Sequence, residues 1–252
     1  MELNLNGKTA LITGGTRGIG KAIALKLATE GVHLVLNYLR NKRAAEETAL
    51  EIEALSGQKP LLLKGNIGEP EKLAEMLKDL QAHTQVLDIV ISNAASGVLR
   101  SAFELTPRHL AWTLDINALA LLWLVQGVRP LLSRGAKIVA VSSLGSTRAF
   151  PNYAAVGASK AALESLVRHL SLELAPEGIN INTLSAGVVD TEALNHFPNR
   201  EELLRHSQAR TPAGRLVTPE EVADAALFLC SPLARMVHGH TLVVDGGYCI
   251  VA

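Results

Sequence analysis

Seven short apolar runs punctuate the chain: "TALIT" (9–13), "HLVLN" (33–37), "PLLLK" (60–64), "LDIVIS" (87–92), "AKIVAVS" (136–142), "INTLS" (181–185) and "TLVVD" (241–245). Each is of strand length, and near-continuous apolar character is what a strand covered on both faces requires. Helix-length segments separate them. The clearest is 158–175, where Leu163, Leu166, Val167, Leu170 and Leu174 recur on one face and "PEG" ends the pattern. This alternation predicts an α/β fold: a Rossmann-type, doubly wound parallel sheet of about seven strands with ligands at the strands' carboxyl ends.

Composition narrows the picture. The chain has 252 residues, 48% of them hydrophobic, and no Pro-, Gly- or Ser-rich linker, so one domain over 1–252 is expected. Twenty-four basic residues balance twenty-four acidic ones and are dispersed, unlike the basic footprint of a nucleic-acid binder. Cys230 and Cys249 have no Cys-x-x-Cys spacing, which suits a reducing cytoplasm, and no targeting segment is apparent. The longest apolar run, around "ALALLWLV", is too short to span a bilayer. His238 and His240, the one close histidine pair, lack further ligands nearby, so no metal is expected.

The first run leads directly into "TGGTRGIGKA", in which Gly14, Gly18 and Gly20 are spaced G-x3-G-x-G. At a strand-to-helix turn, absent side chains let backbone amides approach a pyrophosphate at the positive helix end. Gly15 to Lys21 also reads as the start of an ATP-binding P-loop, but Ala22 stands where that loop needs a magnesium-binding hydroxyl. After the second run, "NYLRNK" lacks the carboxylate that would take the ribose 2'-hydroxyl of NAD. Arg40 and Lys42, with Arg17 from the glycine turn, suit the 2'-phosphate of NADP; the plainer reading of Arg40, Lys42 and Arg43 is charge solvating the next helix.

Taken in order, "TGGTRGIG", "SNAA" (92–95), Asn117, "SSLGS" (142–146), the Tyr153/Lys160 pair, "SAG" (185–187) and "VDGG" (244–247) resemble the short-chain dehydrogenase/reductase family over the full chain. "SNAA" departs from the usual Asn-Asn-Ala-Gly, and "SAG" from Pro-Gly. Most of that family carries a tyrosine four before the lysine, where this chain has Val156. The seven-residue spacing is similar instead to the enoyl-acyl carrier protein reductases. "NAASGVLR", "SSLGS", "HFPNRE" and "TPAGR" resemble their type III branch.

The resemblance implies catalytic roles for Tyr153, Lys160, Ser143 and Asn117, and NADPH as cofactor. It also implies cofactor contacts from Thr16, Ile19, Tyr38, Asn66, Ile67, Asn93, Ala94, Ala95, Ala186, Gly187, Val188, Val189 and Thr191, besides the glycine turn, Arg17 and Arg40. A substrate lid is implied at 190–215, with Ser96, Leu144, Leu194 and Phe197 touching an acyl chain, and Arg200, Arg205 and Arg210 either meeting an acidic carrier protein or forming a solvated face. A homotetramer is implied too, with the C-terminal "VDGGYCIVA" near a subunit contact.

Geometry gives the spacing an independent meaning. Seven helical residues turn about 700°, within about 20° of two full turns, so Tyr153 and Lys160 share a face if the helix already includes 153. Three residues displace the tyrosine by about 4.5 Å along the axis. Ketone reduction sends hydride to the carbon bearing the oxygen, whereas conjugate reduction of an enoyl thioester sends it to the β carbon, farther from the carbonyl. A phenol set back suits the second. The activity that the resemblance implies, and with which this geometry agrees, is NADPH-dependent enoyl-thioester reduction in fatty-acid synthesis, with 3-oxoacyl or ketone reduction, or a non-catalytic NADP-binding regulator, as alternatives.

Overall fold

The computed structural model describes residues 3–192, 194 and 200–251. Seven strands form one sheet in the order β3-β2-β1-β4-β5-β6-β7: β1 (Thr9–Thr13), β2 (His33–Tyr38), β3 (Leu61–Lys64), β4 (Leu87–Ser92), β5 (Leu132–Ser143), β6 (Asn180–Ala186) and β7 (Thr241–Val244). Every pairing is parallel. The predicted strands coincide with these within a residue or two, except that β5 begins four residues early, across a register break opposite Leu87 and Ile89. Pro60 falls outside β3, having no N–H to give the ladder.

Helices α1 (Gly18–Thr29), α2 (Lys42–Ser56) and α8 (Pro219–Cys230) cover one face, contributing Ile23, Leu27, Ile52, Val222 and Leu229 to a core with Ile12, Leu36 and Leu184. On the other face lie α3 (Pro70–His83), α4 (Pro107–Leu114), α5 (Ala120–Val128) and α6 (Ala154–Leu174), where Leu73, Leu77, Leu121, Leu124, Leu163 and Val167 pack on Leu11, Val90 and Ile138. Chain order reverses between β1 and β4, the crevice at which such sheets bind ligands. The excursion after β6 contains α7 (Arg200–Arg210) and is closed at its base by a parallel bridge from Val189 to Val217.

One expectation changes. "ALALLWLV" lies within a continuous helical run, Pro107–Leu131, whose 25 residues are by length and composition sufficient to cross a bilayer. Half of its most apolar window is buried inside the fold, and the run packs on α3 and α6. It is built here as a core helix.

Candidate active site

The glycine turn is shaped for close approach. Gly14 and Gly18 have φ of +61° and +51°, a region that L side chains avoid, and a Cβ on Gly20 would run into the Gly14 carbonyl and the Asn93 amide. Arg17 precedes α1 in extended conformation and offers no side-chain cap, so the first amides of α1 lack a side-chain acceptor. Those donors, at the positive helix end, fit a pyrophosphate.

Polar groups from β1, β2, α2 and the turn after β4 brace the glycine turn. The Thr13 hydroxyl accepts from the Asn93 and Ala94 amides at 2.9 and 3.1 Å, and Asn93 Nδ2 donates to the carbonyls of Thr13 and Gly14. The Thr48 hydroxyl donates to the Thr16 carbonyl. Asn37, buried at the end of β2, accepts from the Gly14 amide through Oδ1 and donates to the Leu63 and Gly65 carbonyls. Asn37 therefore fastens the glycine turn to the β3–α3 turn rather than facing a ribose. Sequence reading missed this; a buried amide in an otherwise apolar strand was its signal.

Around the adenosine end, Tyr38 is partly exposed and Arg40 exposed, and Arg40 makes no ion pair among the described residues. Lys42 and Arg43 instead pair one helical turn on with Glu46 and Glu47, the plainer of the two readings for those residues. Arg17 approaches Glu192 at 3.8 Å, both well exposed, a contact of little energy. Asn66 binds Glu69 and the Gly68 amide, closing the turn into α3. Gly187 donates to the Val244 carbonyl, and Thr191 lies over Gly18. The side chains of Thr16, Ile67, Ala186 and Val189 are buried, so these positions can meet a cofactor chiefly through backbone. Val188 is partly exposed and Ala95 exposed.

Three consecutive residues of β5 hold α6 groups. The Val141 carbonyl accepts from Lys160 Nζ at 2.8 Å, Ser142 Oγ donates to Glu164 Oε1 at 2.6 Å, and Ser143 Oγ accepts from the Tyr153 phenol at 3.3 Å. Ser143 Oγ also accepts from the Gly145 amide at 3.2 Å, which leaves the serine's own proton free to donate elsewhere. Burial pushes the Lys160 pKa down to about 8, partly offset by Glu164, and pushes the Tyr153 phenol up, with the Ser143 hydrogen bond opposing it.

Tyr153 is not within the helix. It is the N-cap of α6, with φ −109° and ψ 7°, and its carbonyl accepts the first helical hydrogen bond from Gly157. The shared-face argument thus holds for Lys160 but reaches Tyr153 only through its cap, where left-handed Asn152 (φ +59°) turns the chain. Val156, where most of the family has tyrosine, is buried beside Gly97 and Thr113.

Asn117 sits in a π-turn, Asp115–Leu119, between α4 and α5. Such turns are rare and mark functional sites. Its Oδ1 accepts from the Ser96 amide and its Nδ2 donates to Ser159 Oγ, both at 2.9 Å, tying the β4 loop to α6. A cleft of about 440 Å³ opens beside Tyr153, lined by Ser101, Arg148, Phe150, Pro151 and Ala158 among others. Leu144, expected to touch substrate, is only 4% exposed, so its side chain belongs to the interior. Leu194 is partly exposed at the start of the excursion; Phe197 lies outside the described residues.

A doubly wound sheet with this glycine turn and a Ser–Tyr–Lys group at its carboxyl edge defines a nicotinamide-dependent oxidoreductase. Residues 14–249 match the family described as enoyl-(acyl carrier protein) reductase. The chain is 38% identical to the 1-cyclohexenylcarbonyl-CoA reductase of Streptomyces collinus, over 97% of this chain and 88% of that one. It is 35% identical to a Nostoc enoyl-[acyl-carrier-protein] reductase [NADH], over 99% of each. The Bacillus cereus enoyl-acyl carrier protein reductase, solved with NADP+ and indole naphthyridinone, superposes with a TM-score of 0.92 at 31% identity over 100% of both chains. The chain belongs to the short-chain dehydrogenase/reductase family, in its enoyl reductase-like branch.

Proposed function

We propose that this protein is an NADPH-dependent enoyl-thioester reductase of fatty-acid synthesis, acting on acyl carrier protein in the cytoplasm as a homotetramer, with 1–252 a single catalytic domain. The observation that carries the reading is the displaced phenol: Tyr153 at the cap of α6 bonded to Ser143, while Val156 is buried where the usual tyrosine would stand. The bound cofactor would supply hydride to the substrate's β carbon. Tyr153 would donate to the thioester oxygen as enolate charge develops there, the kind of stabilisation worth about 3 kcal/mol. Once the phenol turns its one proton from Ser143 to substrate, Ser143, still accepting from the Gly145 amide, would direct its own proton to the same oxygen. Lys160 would hold the ribose hydroxyls and favour the phenol as donor. Asn117 acts through the Ser96 amide and Ser159, holding the β4 loop against α6. Residues 190–215 would form the lid. NADPH is favoured over NADH because Arg40 is exposed and unpaired among the described residues and no acid follows β2, although one relative named above uses NADH.

The test is NADPH oxidation with a trans-2-enoyl thioester against a 3-oxoacyl thioester of equal chain length, each on acyl carrier protein and on coenzyme A. Much faster enoyl reduction is expected. Rapid 3-oxoacyl reduction without enoyl activity would overturn the reading in favour of a ketone reductase, and tight NADPH binding with neither activity would favour a regulator. Coenzyme A thioesters turning over far better than carrier-protein ones would move the enzyme out of fatty-acid synthesis, toward chemistry of the kind the Streptomyces relative's name describes.

A further inference from the structure

Glu164 is a buried carboxylate that the mechanism above does not use. It is 6% exposed on the inner face of α6, among Leu163, Val167 and Leu170, where an acid is costly to bury. It follows Lys160 by four residues, so the two lie one turn apart on the same side. No ion pair within 4.0 Å joins them among the described residues; the carboxylate is held by Ser142 Oγ at 2.6 Å, and the ammonium by the Val141 carbonyl at 2.8 Å. Adjacent residues of β5 thus fix the two charges separately, at neighbouring points on one strand.

A buried ammonium bonded to one neutral carbonyl has a strong tendency to lose its proton. We propose that Glu164, fixed by Ser142, is a positioning residue that keeps Lys160 charged and thereby sets the upper pH limit of cofactor binding. The inference rests on the reading that Lys160 binds the ribose. Several elements pack on α6. From β5 the ionisable side chains are Arg134 and Lys137, both near the strand's opposite end, with Lys137 bonded to Asn180 of β6. The π-turn brings Asp115, α4 brings Arg108 and His109, the turn that ends α6 brings Glu177, which is paired with Arg129, and the cap brings Tyr153. Glu164 is the charged side chain fixed one helical turn from Lys160, at the strand residue next to the carbonyl that holds Nζ.

The experiment is NADPH affinity measured by fluorescence titration from pH 6 to 9.5, without substrate, in the parent, Glu164→Gln, Ser142→Ala and Lys160→Ala. Parent affinity should fall as pH rises through about 8, where Lys160 loses its proton. In Glu164→Gln the fall should begin about one unit lower. The two proteins then bind alike at pH 6 and differ about tenfold at pH 9, tenfold per unit. Ser142→Ala, which leaves the carboxylate in place but unfixed, should shift the curve the same way by less; it also covers the case in which Glu164→Gln does not fold. A merely structural role would weaken binding equally at every pH, and parallel curves for Glu164→Gln and Ser142→Ala would overturn the proposal. If Lys160→Ala binds like the parent, the role of Lys160 itself fails and the inference falls with it. If Lys160→Ala weakens binding while Glu164→Gln stays parallel, only the role of Glu164 is lost.

Discussion

At the scale of single residues, burial acts on Tyr153 and Lys160 in opposite senses, because the phenol's charged form lacks its proton and the lysine's carries one. Tyr153 holds its proton above the ordinary tyrosine range, while Lys160 gives its up at about 8. The alkaline limb of activity should therefore belong to lysine: kcat/KM is expected to be level through neutrality and to drop tenfold per unit above about 8, as a pH–rate profile would read. Tyr153→Phe should lower turnover about 10² to 10⁴-fold and leave NADPH affinity nearly unchanged, checked by steady-state kinetics beside a binding titration. A full-speed Tyr153→Phe with a dead Ser143→Ala would reassign the principal donor. The Tyr153/Lys160 spacing was legible in the sequence as two residue types seven apart, although only Lys160 lies within α6 and Tyr153 caps it. Glu164 was less so: its signal, one acid inside an apolar helical stripe, identifies a partner only once β5 shows Ser142 opposite.

Among elements, the strands were legible because both-face burial writes itself as unbroken apolar runs, and "LDIVIS" became β4 residue for residue. The start of α6 was not, because Tyr153 and Ala154 carry no capping hydroxyl or amide; tertiary contacts with β5 and the Ser143 turn place the cap. The π-turn at Asn117 was equally hidden, since one extra residue in a helical run leaves almost no mark on apolar periodicity. The meeting of the Ser143 turn with the α6 cap makes a sharp prediction. A Cβ on Gly145 would lie 2.6 Å from Tyr153 Cδ1 and closer still to Cε1, so the ring must swing away. Gly145→Ala should cost activity about as much as losing the phenol while retaining NADPH binding, because the glycine turn on β1 is untouched. Parent-like turnover in that variant would mean the ring position seen here is not the working one.

For the whole molecule, the homotetramer proposed above can be tested at the exposed apolar side chains. Phe103 is fully exposed, and Leu110, Trp112 and Leu119 along the α4–π–α5 run are each more than a third exposed. A second group, Val243, Ile250 and Val251, lies at or after the edge strand β7, which among the described residues pairs with β6 alone and leaves its outer ladder open. Exposed large apolar side chains are candidates for association faces, and the proposed tetramer needs two distinct isologous faces on one chain to close with dihedral symmetry. Sedimentation equilibrium should accordingly give about four times the 26.8 kDa chain mass. Trp112→Glu and Ile250→Glu, each burying an unpaired charge in one face, should leave dimers held by the other, and the double variant should be monomeric. A monomeric parent would refute the assembly. A tetramer unaffected by Ile250→Glu would place the second contact elsewhere than the C-terminal segment.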